Sequence, residues 1–219
     1  MKVMILAAGE GRRLLPLTQE IPKPLLQVDG KHLIERHVER LVAAGLSSFV
    51  INLGHLGHQI ERALGDGGKF GAEIFYSKET QLLDTGGGIA AAMDMLGQDD
   101  FVVVNGDIYT DFDFNRLNSL APGVLGHLIM VDNPAHHPEG DFSINDEGLL
   151  MEEGICLTYT GISVLSPLLF RHCDRGPFPL RDLLVPASSS GKLRGEYYGG
   201  YWTDVGTLLR YEELKVQRG

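Results

Sequence analysis

The residues best suited to chemistry near the start of the chain lie in a loop, residues 9–23. Gly9 and Gly11 have no Cβ, so their backbone N–H groups can approach phosphate oxygens closely. Arg13 can pair with a phosphate through two N–H groups, and Lys23 can supply a point charge. Three prolines limit the entropy that the loop loses when it closes on a ligand: Pro16, Pro22 and Pro24. This spacing predicts a site for a polyphosphate.

Two common phosphate-binding loops do not fit this segment. A dinucleotide fingerprint needs Gly or Ala three residues after Gly11, where Leu14 stands. A P-loop needs Gly-Lys-Ser/Thr, which the sequence lacks. The loop therefore indicates a different class of nucleotide or phosphate site.

Two aspartates follow short strand-like segments in separate parts of the chain. Asp107 comes after the apolar run 101–104, and Asp204 closes a Trp-Thr-Asp segment. Two carboxylates together with triphosphate oxygens make an oxygen-rich site of the kind that Mg²⁺ prefers.

A third segment, residues 79–89, combines a carboxylate with a run of glycines. Glu79 and backbone amides could match the donor and acceptors of a uracil ring. We expect the three glycines 86–88 to precede a helix, to expose their N–H groups and to let the backbone approach a flat base.

The elements that must position these residues alternate along the first 130 residues. Short apolar runs predict strands at 3–6, 49–53, 73–76, 101–104 and 125–131, and helical periodicity predicts helices at 31–44, 55–64 and 88–96. The order is that of an α/β fold with a doubly wound, mostly parallel, Rossmann-like sheet. Ligands are then expected beyond the carboxyl ends of the strands.

The second half of the sequence is less regular. We expect a loop at 132–141, antiparallel strands at 142–151 and 157–165, and helices at 166–172 and 180–188. Residues 193–202 resemble a pair of strands, and 208–216 a terminal helix. We therefore predict one domain, 1–219, with a nucleotide-binding portion at 1–131. The portion 132–219 would form a smaller β-rich lobe with the sugar site and the second metal ligand.

Composition narrows the functional classes. The chain has 219 residues, a net charge of −10 and 28 glycines. So acidic a protein lacks the basic face that nucleic acid or anionic lipid needs. Two cysteines are too few for a disulfide framework, and no apolar run approaches the roughly 18 residues of a membrane span. These features predict a cytoplasmic protein with no nucleic-acid or membrane partner, and they leave its oligomeric state open.

The pattern Gly-x-Gly-x-Arg-x-x-Pro-x-Thr, followed by Pro-Lys-Pro, resembles the signature of the sugar-phosphate nucleotidylyltransferases. The resemblance extends over almost the whole chain. Within that family, the short length is most similar to the bacterial members that act on N-acetylmuramate α-1-phosphate. The segments that support this likeness are 79–89, 103–107, 140–142 and 201–207. Arg12 departs from the pattern, because many members have Ser or Thr there, so we expect no hydroxyl contact from it.

The resemblance implies the nucleotidyltransferase, or glycosyltransferase-A, type of fold. It implies Mg²⁺-dependent transfer of UMP from UTP to N-acetylmuramate α-1-phosphate, with release of pyrophosphate, in the recycling of cell-wall sugars. Arg13 and Lys23 would be catalytic, and Asp107 and Asp204 would hold the metal. The other nucleotide-binding residues would be Ala8, Gly9, Gly11, Arg12, Glu79, Leu82, Thr85, Gly86 and Asn105. The sugar contacts would be Gly140, Glu152, Glu153 and Thr160.

Several alternatives stay open at this point. The enzyme could join another base to another sugar, such as GTP with mannose 1-phosphate or dTTP with glucose 1-phosphate. A glycosyltransferase could use Asp111-Phe112-Asp113 as its metal motif, but it would have no use for the Arg13 and Lys23 loop. A non-catalytic sensor built on the same fold would be free to lose one of the four charged residues, but all four are present: Arg13, Lys23, Asp107 and Asp204. Arg181, Lys192 and Arg194 could reach a sugar phosphate, although a solvated surface position is the expectation for each.

Overall fold

The computed structural model describes residues 1–173 and 176–218. The thirteen strands are β1 (Val3–Leu6), β2 (Gln27–Val28), β3 (Lys31–His32), β4 (Ser48–Leu53), β5 (Glu73–Lys78), β6 (Phe101–Asn105), β7 (Ile108–Thr110), β8 (Gly126–Val131), β9 (Ser143–Ile144), β10 (Leu150–Met151), β11 (Thr158–Leu165), β12 (Leu193–Tyr197) and β13 (Trp202–Asp204). The α-helices are α1 (Leu33–Ala43), α2 (Gly57–Leu64), α3 (Asp84–Ala91), α4 (Met93–Leu96), α5 (Arg181–Ser189) and α6 (Leu208–Arg218).

Seven strands form the central sheet in the order β12-β8-β11-β6-β1-β4-β5. Neighbouring strands are parallel throughout, except that β11 runs antiparallel to both β6 and β8. The carboxyl ends of β1, β4, β5 and β6 therefore meet at one edge of the sheet. The expected doubly wound, mostly parallel sheet is confirmed.

Side chains on the two faces of the sheet belong to two separate cores. Along β1, Val3 and Ile5 pack on the face covered by α1 and α2, whereas Met4 packs on the other face with α5. Successive residues of a strand point to opposite faces, so a strand that is covered on both sides must be apolar at every position. This is why the short, wholly apolar runs in the sequence predicted the strands correctly.

A third, smaller core holds the loop that follows β1. Leu14 is fully buried against the β2–β3 hairpin and against Tyr211 and Leu214 of α6. The C-terminal helix therefore fixes one end of the loop that contains Gly11 and Arg13.

One predicted strand pairing in the second half is wrong. Residues 193–202 do not pair with each other: β12 joins β8 at the edge of the main sheet, and β13 pairs antiparallel with β7. Moreover, β11 and β12 belong to the central sheet, so the second half supplies part of the same layer. In the described part of the chain, no helix is long and apolar enough to cross a membrane.

Candidate active site

A cavity of about 310 Å³ opens at the carboxyl edge of the sheet, beside the ends of β1, β4 and β6. Its lining includes eight of the residues predicted from the sequence: Ala8, Gly9, Lys23, Glu79, Leu82, Thr85, Asn105 and Asp107. These residues come from segments that lie up to 99 positions apart in the sequence. The topology thus brings the three chemical segments of the sequence together.

The loop after β1 offers free backbone donors to this cavity. Within the described structure, the N–H groups of residues 8–11 make no hydrogen bond. Gly11 adopts a left-handed conformation with φ 65°, and its carbonyl accepts a hydrogen bond of 2.9 Å from the buried hydroxyl of Thr18. A Cβ on Gly11 would lie 2.8 Å from Thr18 Cγ2, so both the conformation and the space require glycine.

The two arginines of the loop differ in their surroundings. Arg12 pairs with Glu10 at 2.5 Å and leaves 81% of its side chain exposed, which is typical of a solvated surface pair. Arg13 is exposed and makes no hydrogen bond or ion pair with any residue that the structure describes. Neither arginine lines the cavity, but Arg13 is free to turn toward an anion that enters it.

Asp107 and Lys23 form an ion pair at the floor of the cavity. Lys23 Nζ lies 2.5 Å from Asp107 Oδ2, with side-chain exposures of 15% and 27%. Lys23 follows Pro22 at the start of a short 3-10 turn, and Asp107 follows Gly106, whose N–H donates to the carbonyl of Leu6. The backbone that carries Asp107 is therefore hydrogen-bonded to the end of β1, and Lys23 reaches it from the 3-10 turn.

Asp204 stands next to Asp107 because β13 pairs with β7. In this register Asp204 faces Ile108, and the N–H of Val205 donates to the Asp107 carbonyl at 2.9 Å. Asp204 contacts the guanidinium of Arg210 and lies 3.1 Å from Nε2 of His136. Each of the two carboxylates thus has a cationic partner.

The donor set of this carboxylate pair suits a hard divalent cation. Asp107 and Asp204 offer only oxygen atoms from neighbouring strand ends, and each already holds a positive group. Mg²⁺ commonly takes one or two carboxylates and completes its shell with water and substrate phosphate. Among the described residues no cluster of three or more His, Cys, Asp or Glu could hold a metal, so the fit depends on those additional ligands.

Glu79 is fixed by a network on the opposite side of the cavity. Its Oε1 accepts a hydrogen bond of 2.7 Å from the Asn52 amide, and its Oε2 accepts one of 3.0 Å from the N–H of Leu83. Asn52 is buried at the end of β4 and also accepts a hydrogen bond from the N–H of Ala7 at 2.7 Å. The network ties the predicted base-binding segment to the end of β1.

The glycines 86–88 lie inside α3, which begins at Asp84, and not before the helix. The expectation that their N–H groups are open is wrong for Gly86 and Gly87, because both donate to the carbonyl of Phe178. A Cβ on Gly86 would lie 2.3 Å from the Phe178 ring. These glycines therefore allow the segment before α5 to pack against the helix.

A second cavity of about 180 Å³ adjoins the first. The two cavities share Leu6, Thr85 and Asn105. The Asn105 amide makes no side-chain hydrogen bond with a described residue, and it packs on Gly161, where a Cβ would lie 2.4 Å from Asn105 Nδ2. Asn105 is thus placed to contact ligands on both sides.

The four predicted sugar contacts do not line this second cavity. Thr160 is buried and donates to the Ile129 carbonyl, Glu152 accepts a hydrogen bond from Ser189, and Glu153 is exposed. Gly140 adopts φ 67° and packs against Asn133 and the 156–157 backbone. Their contact with a sugar stays a prediction, and the cavity wall is formed instead by residues that include Asp141, Tyr159 and Arg181.

Comparison with known proteins identifies the family and the fold. The family model described as nucleotidyl transferase matches residues 2–122. The N-acetylmuramate α-1-phosphate uridylyltransferase of Neisseria meningitidis serogroup B is 43% identical over 100% of this chain and 99% of its own. The chain belongs to the nucleotidyl transferase family.

Two further relatives and one solved structure are also similar to this nucleotidyl transferase. The N-acetylmuramate α-1-phosphate uridylyltransferase of Caulobacter vibrioides is 31% identical over 93% of this chain and 90% of its own. The mannose-1-phosphate guanyltransferase of Schizosaccharomyces pombe is 31% identical, over 96% of this chain but 62% of its own. The crystal structure of HddC from Yersinia pseudotuberculosis, complexed with GMP-PN, shares the fold with a TM-score of 0.82 at 22% identity, covering 99% and 98% of the two chains.

Several polar residues of the nucleotidyl transferase site were missed from the sequence: Asn52, His136, Asp141 and Arg210. Asn52 carried a usable signal, since it is a polar residue within the apolar run 49–53. Arg210 lies six residues after the predicted metal ligand Asp204, in the first turn of α6, a helix whose packing the sequence does not specify. His136 and Asp141 lie in a loop without periodicity, so only the tertiary structure places them.

Proposed function

We propose that this nucleotidyl transferase moves UMP from UTP to N-acetylmuramate α-1-phosphate, giving a UDP-sugar and pyrophosphate in the recycling of cell-wall sugars. The observation that carries the proposal is the 43% identity, over the whole length of both chains, to a protein of that name. The adjoining cavities support it, since one has room for a nucleotide at the free N–H groups and the other continues beyond Asn105. We place the reaction in the cytoplasm.

In this proposal an oxygen of the sugar phosphate attacks the α-phosphorus of UTP, and pyrophosphate leaves. A phosphate monoester dianion is already a nucleophile near neutral pH, so the protein need not supply one. Its task is to position the two phosphates and to neutralise charge as the transition state forms. Lys23 would exchange its partner Asp107 for the α-phosphate and the incoming phosphate, and Arg13 would hold the leaving β- and γ-phosphates.

Asp107 and Asp204 would hold Mg²⁺ in the proposed reaction. Bound there, the ion would neutralise phosphate charge and orient the reacting groups. Arg210 and His136 would then fix the orientation of the Asp204 carboxylate. The free N–H groups of residues 8–11 would bind the triphosphate, as groups in such a concave backbone segment do for anions.

The uracil would lie against the segment that Glu79 organises. Both Glu79 oxygens already accept hydrogen bonds, so Glu79 would act by fixing the backbone at Leu83 and the side chain of Asn52. Leu82 is half-exposed at the cavity wall and could cover one face of the ring, and Thr85 lies at the boundary with the second cavity. Residues 1–131 would then serve the nucleotide, and 132–219 the sugar and the second metal ligand.

A product analysis tests this proposal. The protein is incubated with UTP, N-acetylmuramate α-1-phosphate and Mg²⁺, and the products are separated by anion exchange. We expect a UDP-sugar and pyrophosphate in equal amounts, loss of both with a chelator, and a fall in turnover of about 10² or more for Asp107→Asn. Near-normal turnover of that variant at controlled Mg²⁺ would exclude the assigned metal role. UDP in place of a UDP-sugar and pyrophosphate would mean that UTP is cleaved at the γ-phosphorus, which would contradict the transfer of UMP.

A further inference from the structure

The second cavity has a mixed charge at its wall. Of its described lining residues, Asp141 and Arg181 are the two that carry formal charge at neutral pH. Arg181 is the first residue of α5, and its side chain is 53% exposed. Its guanidinium lies over the Phe142 ring at 5.4 Å, which holds the planar group at the mouth of the cavity.

Arg181 makes only a long, weak contact with Asp141. Its Nη1 lies 3.5 Å from Asp141 Oδ1, at the limit of a hydrogen bond. Asp141 has other partners, because its Oδ2 accepts the Tyr159 N–H at 2.9 Å and its Oδ1 lies 3.4 Å from His137 Nε2. A guanidinium carries five N–H donors, so Arg181 can keep Asp141 and still bind a second carboxylate through two of them.

We propose that Arg181 binds the carboxylate of the acceptor sugar and so selects N-acetylmuramate α-1-phosphate over neutral hexosamine 1-phosphates; this inference rests on the proposed function. The muramate differs from N-acetylglucosamine by a lactyl ether that carries the carboxylate. All these sugars share the ring and the 1-phosphate, so the carboxylate is the feature that a charged residue can distinguish. Asp141 disfavours an unpaired carboxylate in the same cavity, which makes the arginine necessary for this substrate.

Arg194 provides a matched control. It is also exposed and lies in the same half of the chain, but its Nη1 donates to the Glu147 carbonyl at 3.0 Å. It lines a different cavity, near Arg116 and His127. Loss of its charge should not change sugar selectivity.

The test combines a change in the protein with a matching change in the substrate. Wild type, Arg181→Ala, Arg181→Lys and Arg194→Ala are assayed at saturating UTP with N-acetylmuramate α-1-phosphate and with its lactyl amide, which has the same shape but no charge. For wild type we expect the amide to have a kcat/KM about 10–100-fold lower than the acid, mainly through KM. For Arg181→Ala the preference for the acid should be lost, and the amide should be the better substrate because Asp141 remains in the cavity wall. Arg181→Lys should restore part of the preference, and Arg194→Ala should resemble wild type.

Each outcome separates the inference from the proposed function. If wild type prefers the acid and Arg181→Ala keeps that preference, the assignment of Arg181 is wrong although the enzyme is correctly described. If Arg181→Ala slows both substrates equally, the residue has only a structural role, and the inference fails. If wild type does not use N-acetylmuramate α-1-phosphate at all, the proposed function itself fails.

Discussion

Replacing Lys23 by methionine removes the cation that contacts Asp107 while keeping most of the aliphatic stem. The two side chains are 15% and 27% exposed, so the pair lies between a surface and a buried ion pair. Breaking a buried pair costs about 3–5 kcal/mol, whereas an exposed pair contributes about 0.2–1 kcal/mol. We therefore expect Lys23→Met to lower the free energy of unfolding by about 1–2 kcal/mol, and Tm by about 3–6 °C.

The effect of the same variant on turnover should be much larger. In the proposed reaction Lys23 neutralises charge that develops on the phosphates, and removal of one such preorganised group typically costs about 10²–10³ in kcat. Because the loss concerns the transition state, it should persist when UTP and the sugar phosphate are both saturating. The assay is pyrophosphate release at 25 °C, with thermal unfolding of the same preparation to show that the variant is folded.

Lys31→Met is the matched control for this experiment. Lys31 forms an ion pair of similar length, 2.6 Å, with Glu39, but both side chains are 41% exposed and lie outside the cavity. We expect a stability change below about 1 kcal/mol and unchanged turnover. The reasoning about Lys23 is refuted if Lys23→Met retains turnover within about fivefold of wild type, or if Lys31→Met loses as much.

Two further predictions concern stability. Gly161→Ala places a Cβ 2.4 Å from Asn105 Nδ2 at φ 80°, whereas the Cβ of Gly191→Ala, at φ 66°, meets nothing within 4 Å. Urea unfolding should show that Gly161→Ala lowers the free energy of unfolding by about 2–5 kcal/mol and Gly191→Ala by about 1–2 kcal/mol. Equal losses would exclude crowding against Asn105. Burial lowers the pKa of His37 from 6.5 to about 4, so the unfolded chain binds more protons between these values and stability falls by up to about 3 kcal/mol as pH decreases through that window. His37→Gln, which keeps a donor for the Ile108 carbonyl, should remove this part of the pH dependence in urea unfolding, and an unchanged slope would contradict the assignment.

The parts of the fold that the sequence predicted share a physical cause. The parallel strands are covered on both faces, so 3–6, 49–53 and 101–104 are apolar except at Asn52 and stand out from their surroundings. The loop from Gly9 to Lys23 was recognisable because its glycines, prolines and cationic residues each suit phosphate binding through their own chemistry. These signals are contained within short segments and do not depend on distant packing.

The parts that were not predicted depend on distant contacts. β12 joins β8, more than 60 residues earlier, and nothing local in 193–197 distinguishes that partner from β13. The glycines 86–88 were expected to precede a helix, but they lie inside α3, where Gly86 packs against the distant Phe178. The wall of the second cavity likewise combines Asp141 and Arg181 only after folding.

The central claim is that the two adjoining cavities bind UTP and N-acetylmuramate α-1-phosphate for direct transfer. The most direct test is to measure kcat/KM for pyrophosphate release with each of four nucleoside triphosphates, UTP, GTP, dTTP and ATP. Each is paired with the 1-phosphates of N-acetylmuramate, N-acetylglucosamine, glucose and mannose. We expect UTP with N-acetylmuramate α-1-phosphate to have the highest kcat/KM of the sixteen pairs. A higher value for GTP with mannose 1-phosphate, or for dTTP with glucose 1-phosphate, would contradict it.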